Sequence, residues 1–234
     1  MLLKAHTGVI VAMLIILAWF TSLSLGLSIE VDYASPWLYL LILLQTHLYT
    51  GLFITAHDAM HGTVSKNRKV NTSFGHVTAL LFSYNFYHKL FPKHHEHHRF
   101  VATDKDPDYY HGSFFPWYFS FLKQYLSIWQ ILLMAITFNL LKLVIPTENL
   151  ILLWMLPGVL ATFQLFYFGT YLPHRGEHKA GNKHFSRSQK LNHLWAFLTC
   201  YFFGYHYEHH DSPGTPWWML WKQKEKQQLK GYPK

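Results

Sequence analysis

Residues 8–29 run for 22 positions without a charged side chain. At about 1.5 Å per residue, such a run makes a helix of roughly 33 Å, enough to cross a hydrocarbon core of about 30 Å. A second apolar run starts at Pro36, where proline suits a first helical turn, and continues to residue 56 with only Gln45 and His47 interrupting it. Two more occupy residues 125–145 and 149–172, separated by Pro146-Thr147-Glu148 and closed by Pro173. Composition agrees, with 50% of residues hydrophobic and 14% charged, against roughly 25% charged in a typical soluble domain. The expected fold is an all-α integral membrane protein, one domain over residues 1–234, with four transmembrane helices (8–29, 36–56, 125–145, 149–172) and a cytoplasmic helical cap. A secretory signal is the weaker reading of the first run, which exceeds the usual apolar core and lacks an A-x-A-like cleavage site at residues 22–28. Two shorter apolar pieces, 74–91 and 194–205, are interrupted by His76, His88 and Gly204 and read as interfacial or re-entrant helices.

Charge orients these spans. The link between the first two carries Glu30 and Asp32 and the link between the last two carries Glu148, with no Lys or Arg in either. Every basic residue except Lys142 falls on the other side, and Lys142 lies near the outer end of the third run, where its stem can snorkel. By the positive-inside rule, both termini and the long middle segment face the cytoplasm. The net charge of +8 therefore reads as topology; nucleic-acid binding would need a dense basic patch, whereas these residues are spread between apolar runs. The basic tail at 222–234 reads as solvated, and Trp117-Tyr118 and Trp217-Trp218 as interface belts.

Eighteen histidines outnumber twelve acids, and the single cysteine, Cys200, excludes a disulfide framework, a cysteine zinc site or an iron–sulfur cluster. His57 and His61 stand four residues apart on one face of a helix continuing the second run. His94, His97 and His98 form H-x-x-H-H, and His206, His209 and His210 repeat it, again on one helical face. One such pair is weak evidence, but three boxes in one chain are strong. Eight imidazoles exceed what one ion can take, so they imply two metals held between cytoplasmic helix ends. Neutral imidazole suits iron, zinc, copper and nickel alike. Asp58, Glu96 and Glu208 either orient ring nitrogens or are helix-surface charges. His95 is off the pattern, facing solvent or backing the ligands, and His6, His111 and His184 default to the surface.

The boxes resemble those of the membrane di-iron desaturase and hydroxylase superfamily. Within it, the chain is similar to the bacterial-type beta-carotene ketolases. That likeness is carried by Thr55-Ala56-His57-Asp58-Ala59-Met60-His61-Gly62, Thr103-Asp104-Lys105-Asp106-Pro107-Asp108, Tyr171-Leu172-Pro173-His174-Arg175-Gly176 and Pro216-Trp217-Trp218. It extends over nearly the whole chain, with residues 211–215 more polar than the family's usual loop. The resemblance implies two iron ions, dioxygen as co-substrate, and a 4-ketolase that oxidises the terminal rings of beta-carotene at C4 and C4' by two successive hydroxylations, giving echinenone and canthaxanthin. It also implies a ninth histidine at the cytoplasmic end of the last span. His174 holds that place, where Pro173 ends the span; His193 is the other candidate, and His178 reads as a surface residue.

A carotenoid dissolves in the bilayer, so a tunnel entered from lipid and ending below the metals is expected. His47 lies ten residues, about 15 Å of helix, before His57. A polar intramembrane residue is functional by default, the alternative being a hydrogen bond to a neighbouring helix. Phe53, Phe163, Phe166 and Phe168 either line the tunnel or pack helices together. No G-x-G-x-x-G fingerprint is found, so the expected electron donor is a separate acidic carrier such as ferredoxin. Lys66, Arg68, Lys69, Arg187, Lys190, Lys222, Lys224 and Lys226 could steer it. A carotenoid ring hydroxylase or a fatty acyl desaturase would share the metal chemistry. A membrane haem-binding electron carrier or metal transporter would instead place its histidines inside opposed spans or near the midplane, whereas these boxes cluster beyond the span ends.

Overall fold

Most of each apolar run is helix in the computed structural model, which describes residues 2–229, and no strand occurs among those residues. In chain order the helices are α1 (Leu2–Ser28), α2 (Pro36–Met60), α3 (Arg68–Leu81), α4 (Tyr87–Phe100), α5 (Phe114–Tyr125) and α6 (Ile128–Leu141). They continue with α7 (Thr147–His174), α8 (His193–Cys200), α9 (His206–Asp211) and, after a short 3-10 turn, α10 (Leu220–Leu229).

Helices α1, α2 and α7 are long and apolar enough to cross a membrane. They share a core in which Ile15, Trp19, Tyr49, Leu52, Leu150, Trp154 and Leu165 meet. Their outer faces are equally apolar but uncovered: Leu17 is 62% exposed and Leu43 61%, whereas Tyr49 and Leu52 are fully buried. A surface of that kind suits hydrocarbon rather than water. Polar bolts replace hydrophobic drive between the helices. Thr50 donates to Gln164 Oε1 (2.5 Å), whose amide donates to the Thr199 carbonyl (2.7 Å). Asn149 Nδ2 donates to the carbonyls of Gly26 (3.0 Å) and Ile29 (2.7 Å), fixing the start of α7 against the end of α1. There Tyr33 donates to Glu148 (3.1 Å), so the two links without Lys or Arg meet at one end of the bundle.

The long helix α7 widens into π-helical turns at Leu150–Met155 and Phe166–Tyr171. Each stretch precedes a proline, Pro157 or Pro173. A proline lacks the amide hydrogen and crowds the carbonyl four residues before it, and a local π-bulge is one way to relieve that conflict.

The third expected span is bent. Residues 125–145 do not form one straight helix: α5 and α6 meet at an 85° bend. Leu126 is extended, and Ser127 starts a new helix through a capping box with Gln130. The 14 residues of α6 rise about 21 Å, short of the hydrocarbon thickness. Three helices are thus long and apolar enough to cross a membrane, and up to four spans result if the bent pair counts as one. The expected interfacial piece at 74–91 also divides, because Ser83 and Tyr84 adopt left-handed φ of 54° and 57° between α3 and α4. At 194–205 a short helix, α8, ends at a left-handed Tyr201.

The aromatic pairs expected in interface belts are largely inside. Trp117 and Tyr118 are each 3% exposed, packed with Phe166 between α5 and α7. Trp217 is also buried, against Phe197 and Tyr201. Nor is the C-terminal stretch simply solvated: α10 packs on α9 through Lys224, whose Nζ donates to the buried Glu208 carboxylate (3.0 Å). Residues 230–234 of that tail lie outside the described residues.

Candidate metal centre

Four helix ends converge at the end of the bundle opposite the acidic links. His57 and His61 come from the last turn of α2, where Gly62, at φ 71°, lets the chain leave immediately after His61. Helix α4 supplies His94, His97 and His98, α7 ends on His174, and α9 supplies His206, His209 and His210.

These nine imidazoles fall into two groups. In each, the potential ligand nitrogens lie within 4.8 Å of one another: His57, His61, His94, His98 and His209 in the first, and His97, His174, His206 and His210 in the second. Helical geometry explains the sorting. In α4 the i, i+4 pair His94 and His98 faces the first group while His97 faces the second. In α9 the wiring is reversed, with His206 and His210 in the second group and His209 in the first. Both H-x-x-H-H boxes therefore serve both groups.

Ring nitrogens point at each other across these contacts. Nε2–Nε2 distances are 2.7 Å for His61–His94, 3.0 Å for His98–His209, 2.9 Å for His174–His206 and 2.9 Å for His206–His210. Both nitrogens of His57 and Nδ1 of His206 are buried without a hydrogen-bond partner. Buried polar atoms are ordinarily satisfied, so convergent imidazoles with unpartnered nitrogens have the chemistry of a donor set that could hold cations. Electrostatics agree with that reading. Burial pushes His61 down to about 4 and His98 to about 2, with neighbouring rings adding to the effect. The same causes lower His94, His206, His209 and His210. All six are thus neutral at pH 7, the state in which imidazole binds metals. The residues fit a pair of first-row transition ions.

Among the expected carboxylates, none meets a ring nitrogen at hydrogen-bond distance. Asp58 is buried, but its Oδ1 stays 3.8 Å from His57 Nδ1, and its Oδ2 accepts the Trp217 amide (3.1 Å), tying α2 to the C-terminal segment. Glu208 is held by Ser188 and Lys224. Glu96 is exposed, because it lies between His94 and His97 on the outer face of α4. The residue that does orient a ring is Asp106. Its Oδ1 lies 2.9 Å from His97 Nδ1, and its Oδ2 accepts the Ala102 amide (2.9 Å). Burial lowers His97, but Asp108 and Asp106 outweigh that and raise it. An Asp-x-Asp turn nine residues after a box histidine was the available sequence signal.

The remaining histidines belong to neither group. His193 bonds Tyr205 (3.0 Å) and Glu225 (3.3 Å) on the far side of α9. His95 is exposed and stacks on Phe91. His178, expected at the surface, is half-buried with Nε2 against the His174 carbonyl (3.2 Å), and His184 is half-buried beside Asp211. His111 and His6 are exposed.

Under the two groups lies a cavity of about 60 Å³, several times the space one water needs. His57, His94, His97 and His206 reach it from above, and Phe53, Leu165, Phe203, Asp108, Tyr125 and Thr170 line its walls. Of the expected substrate contacts, only Phe53 is there. Phe166 is fully buried between α7 and α5, and Phe163 stacks on Tyr118 at 4.1 Å. Phe168 faces a separate open cleft of about 940 Å³ beside Arg175 and Gln189. His47 stacks on Tyr201 at 4.2 Å, and neither ring nitrogen has a hydrogen-bond partner.

The fatty acid desaturase family profile matches residues 34–145 and 114–233. The chain belongs to the fatty acid desaturase family. It is 41% identical over 179 residues to a beta-carotene ketolase of Paracoccus sp. (strain N81106 / MBIC 01143), covering 75% of this chain and 74% of that one. To beta-carotene 4-ketolase 3 of Haematococcus lacustris it is 40% identical over 184 residues, 74% of this chain and 58% of the relative. A zeaxanthin 4-ketolase of Chlamydomonas reinhardtii is 38% identical over 212 residues, 86% of this chain and 48% of that protein. The chain thus spans about half to three-fifths of the algal relatives' length. No solved structure matches it.

Proposed function

We propose that the chain is a beta-carotene 4-ketolase of the di-iron type, with His57, His61, His94, His98 and His209 holding one iron and His97, His174, His206 and His210 the other. The observation that carries this is the sorting of nine buried or half-buried imidazoles into two tight groups in a chain about 40% identical to several ketolases. Iron, when bound, would supply the activation of dioxygen that an inert C–H bond requires. The protein's own part is to keep the imidazoles around His97 neutral, to hold His97 through Asp106, and to present the ring carbon in the cavity below. Each oxidation consumes one dioxygen, two electrons and two protons and releases one water. The second leaves a geminal diol that loses water to give the ketone.

In this reading the bent α5–α6 pair completes four crossings, with the acidic links outside and both termini and the histidines in the cytoplasm. Supporting it, the Tyr33–Glu148 contact joins the two links at the end of the bundle away from the histidines. The electron donor would be an acidic carrier such as ferredoxin. Within the steering set Lys224 is paired with Glu208, and Arg187 donates to the carbonyls of Arg175 and Glu177 while keeping its charge. Lys66, Arg68 and Lys69 are exposed around the start of α3.

Expression in a host that makes only beta-carotene tests the proposal. A product that has gained one oxygen and lost two hydrogens per ring is expected. A product with only an added oxygen would make the enzyme a hydroxylase, and one with only two hydrogens lost a desaturase.

A further inference from the structure

Asp108 is the carboxylate of the reaction cavity, and only half of it is satisfied. Its Oδ1 accepts the Tyr125 hydroxyl, its amide donates to Asp106 Oδ1 (2.9 Å), and its carbonyl accepts the Trp117 indole (2.7 Å), so its position is tightly held. The other oxygen, Oδ2, is 3.8 Å from His97 Nδ1, too far for a hydrogen bond, because Asp106 already takes that nitrogen at 2.9 Å. The side chain is 12% accessible and the residue lines the cavity under both histidine groups. Oδ2 has no hydrogen-bond partner in the protein and stays partly accessible, so it is an acceptor open to a donor that enters the cavity. A carotene ring brings no donor. The alcohol formed on that ring does.

We propose that Asp108 Oδ2 is a specificity-determining subsite that accepts the hydroxyl of the ring alcohol after the first oxidation. It holds the same carbon under the histidines for the second. The inference rests on the ketolase reading and says why the product is a ketone rather than an alcohol. In the second round one oxygen atom of dioxygen enters the remaining C–H bond and the other leaves as water, with two electrons and two protons from the external donor. The resulting diol then loses water. Asp108 exchanges no proton or electron in this; it positions the alcohol.

The test compares wild type with Asp108→Asn, which keeps an acceptor for Tyr125 but turns the open position into a donor, and with Tyr125→Phe, which keeps the carboxylate. In the carotene-making host, Asp108→Asn should raise the alcohol-to-ketone ratio by about tenfold. Tyr125→Phe should shift the ratio much less. Independently of turnover, purified wild type should bind the ring alcohol more tightly than the parent hydrocarbon, and Asp108→Asn should lose that difference. An unchanged ratio, a parallel loss of both oxidations, or equal wild-type affinity for alcohol and hydrocarbon would overturn the subsite while leaving the ketolase reading intact. A wild-type enzyme that makes no ketone would instead remove the functional reading itself. If Asp108→Asn fails to accumulate, the wild-type binding comparison still decides.

Discussion

His174 and His206 are 32 residues apart in sequence, and their Nε2 atoms lie 2.9 Å apart at the end of the bundle. That contact closes the four-histidine group and joins the last apolar helix to the third box. His174→Ala should therefore lose one of two irons and abolish ketone formation while the protein still inserts in the membrane. His193→Ala, which removes a ring bonded to Tyr205 and Glu225, should keep both irons. Iron analysis of the purified variants, with carotenoid analysis alongside, checks the pair.

Asp106 bonds both the His97 ring and the Ala102 amide. A carboxylate behind a metal-binding histidine fixes its tautomer, and losing such a partner typically costs about 10–100-fold in metal affinity or activity. Asp106→Ala is expected to release iron to a chelator that wild type resists, in that range.

Burial places the folded-state values of His61 and His98 near 4 and 2, below the roughly 6.5 of an unfolded chain. The unfolded state therefore binds more protons than the folded one once pH drops below about 6.5, and stability falls with it. Metal-free protein should be most stable above that pH and should melt progressively lower as pH falls from about 6.5 towards 4. Thermal unfolding in detergent across this window is the measurement. Iron, which competes with the same protons, should raise the melting temperature most at the upper end.

Lys224 and Glu208 form an ion pair with side chains 12% and 3% exposed. Removing one partner strands the other, and such losses cost about 3 kcal/mol or more. Lys224→Met should lower the melting temperature and loosen α9, whereas adding Glu208→Gln to it should recover much of the loss. A double-mutant cycle on unfolding midpoints would show the coupling.

Much of this architecture was legible in one dimension. Apolar run length is a local property, so α1, α2 and α7 could be placed within a few residues, and charge asymmetry already separated the links from the histidine boxes. The 85° bend before α6 was not visible, because hydropathy continues smoothly through Leu126 and Ser127 while the backbone does not. The pairing of Ser127 with Gln130, and of Gln130 with the Ser83 carbonyl (3.2 Å), decides it. Where Phe163 and Phe166 would point was hidden for a similar reason: π-helical turns in the same helix shift a helix face by a fraction of a turn that no 3.6-residue count anticipates.

Histidine spacing by itself determined that each box could present its rings on one face of a helix. Only the tertiary structure decided how the rings divide, five and four, and which carboxylate stands behind them. Adjacent boxes in sequence say nothing about the angle at which α4 and α9 cross. Asp106 and Asp108 reach His97 and the cavity through a turn whose shape depends on Tyr125, Trp117 and Ala102 together. Periodicity fixes what one helix can offer, and the packing of several helices fixes what those offers meet.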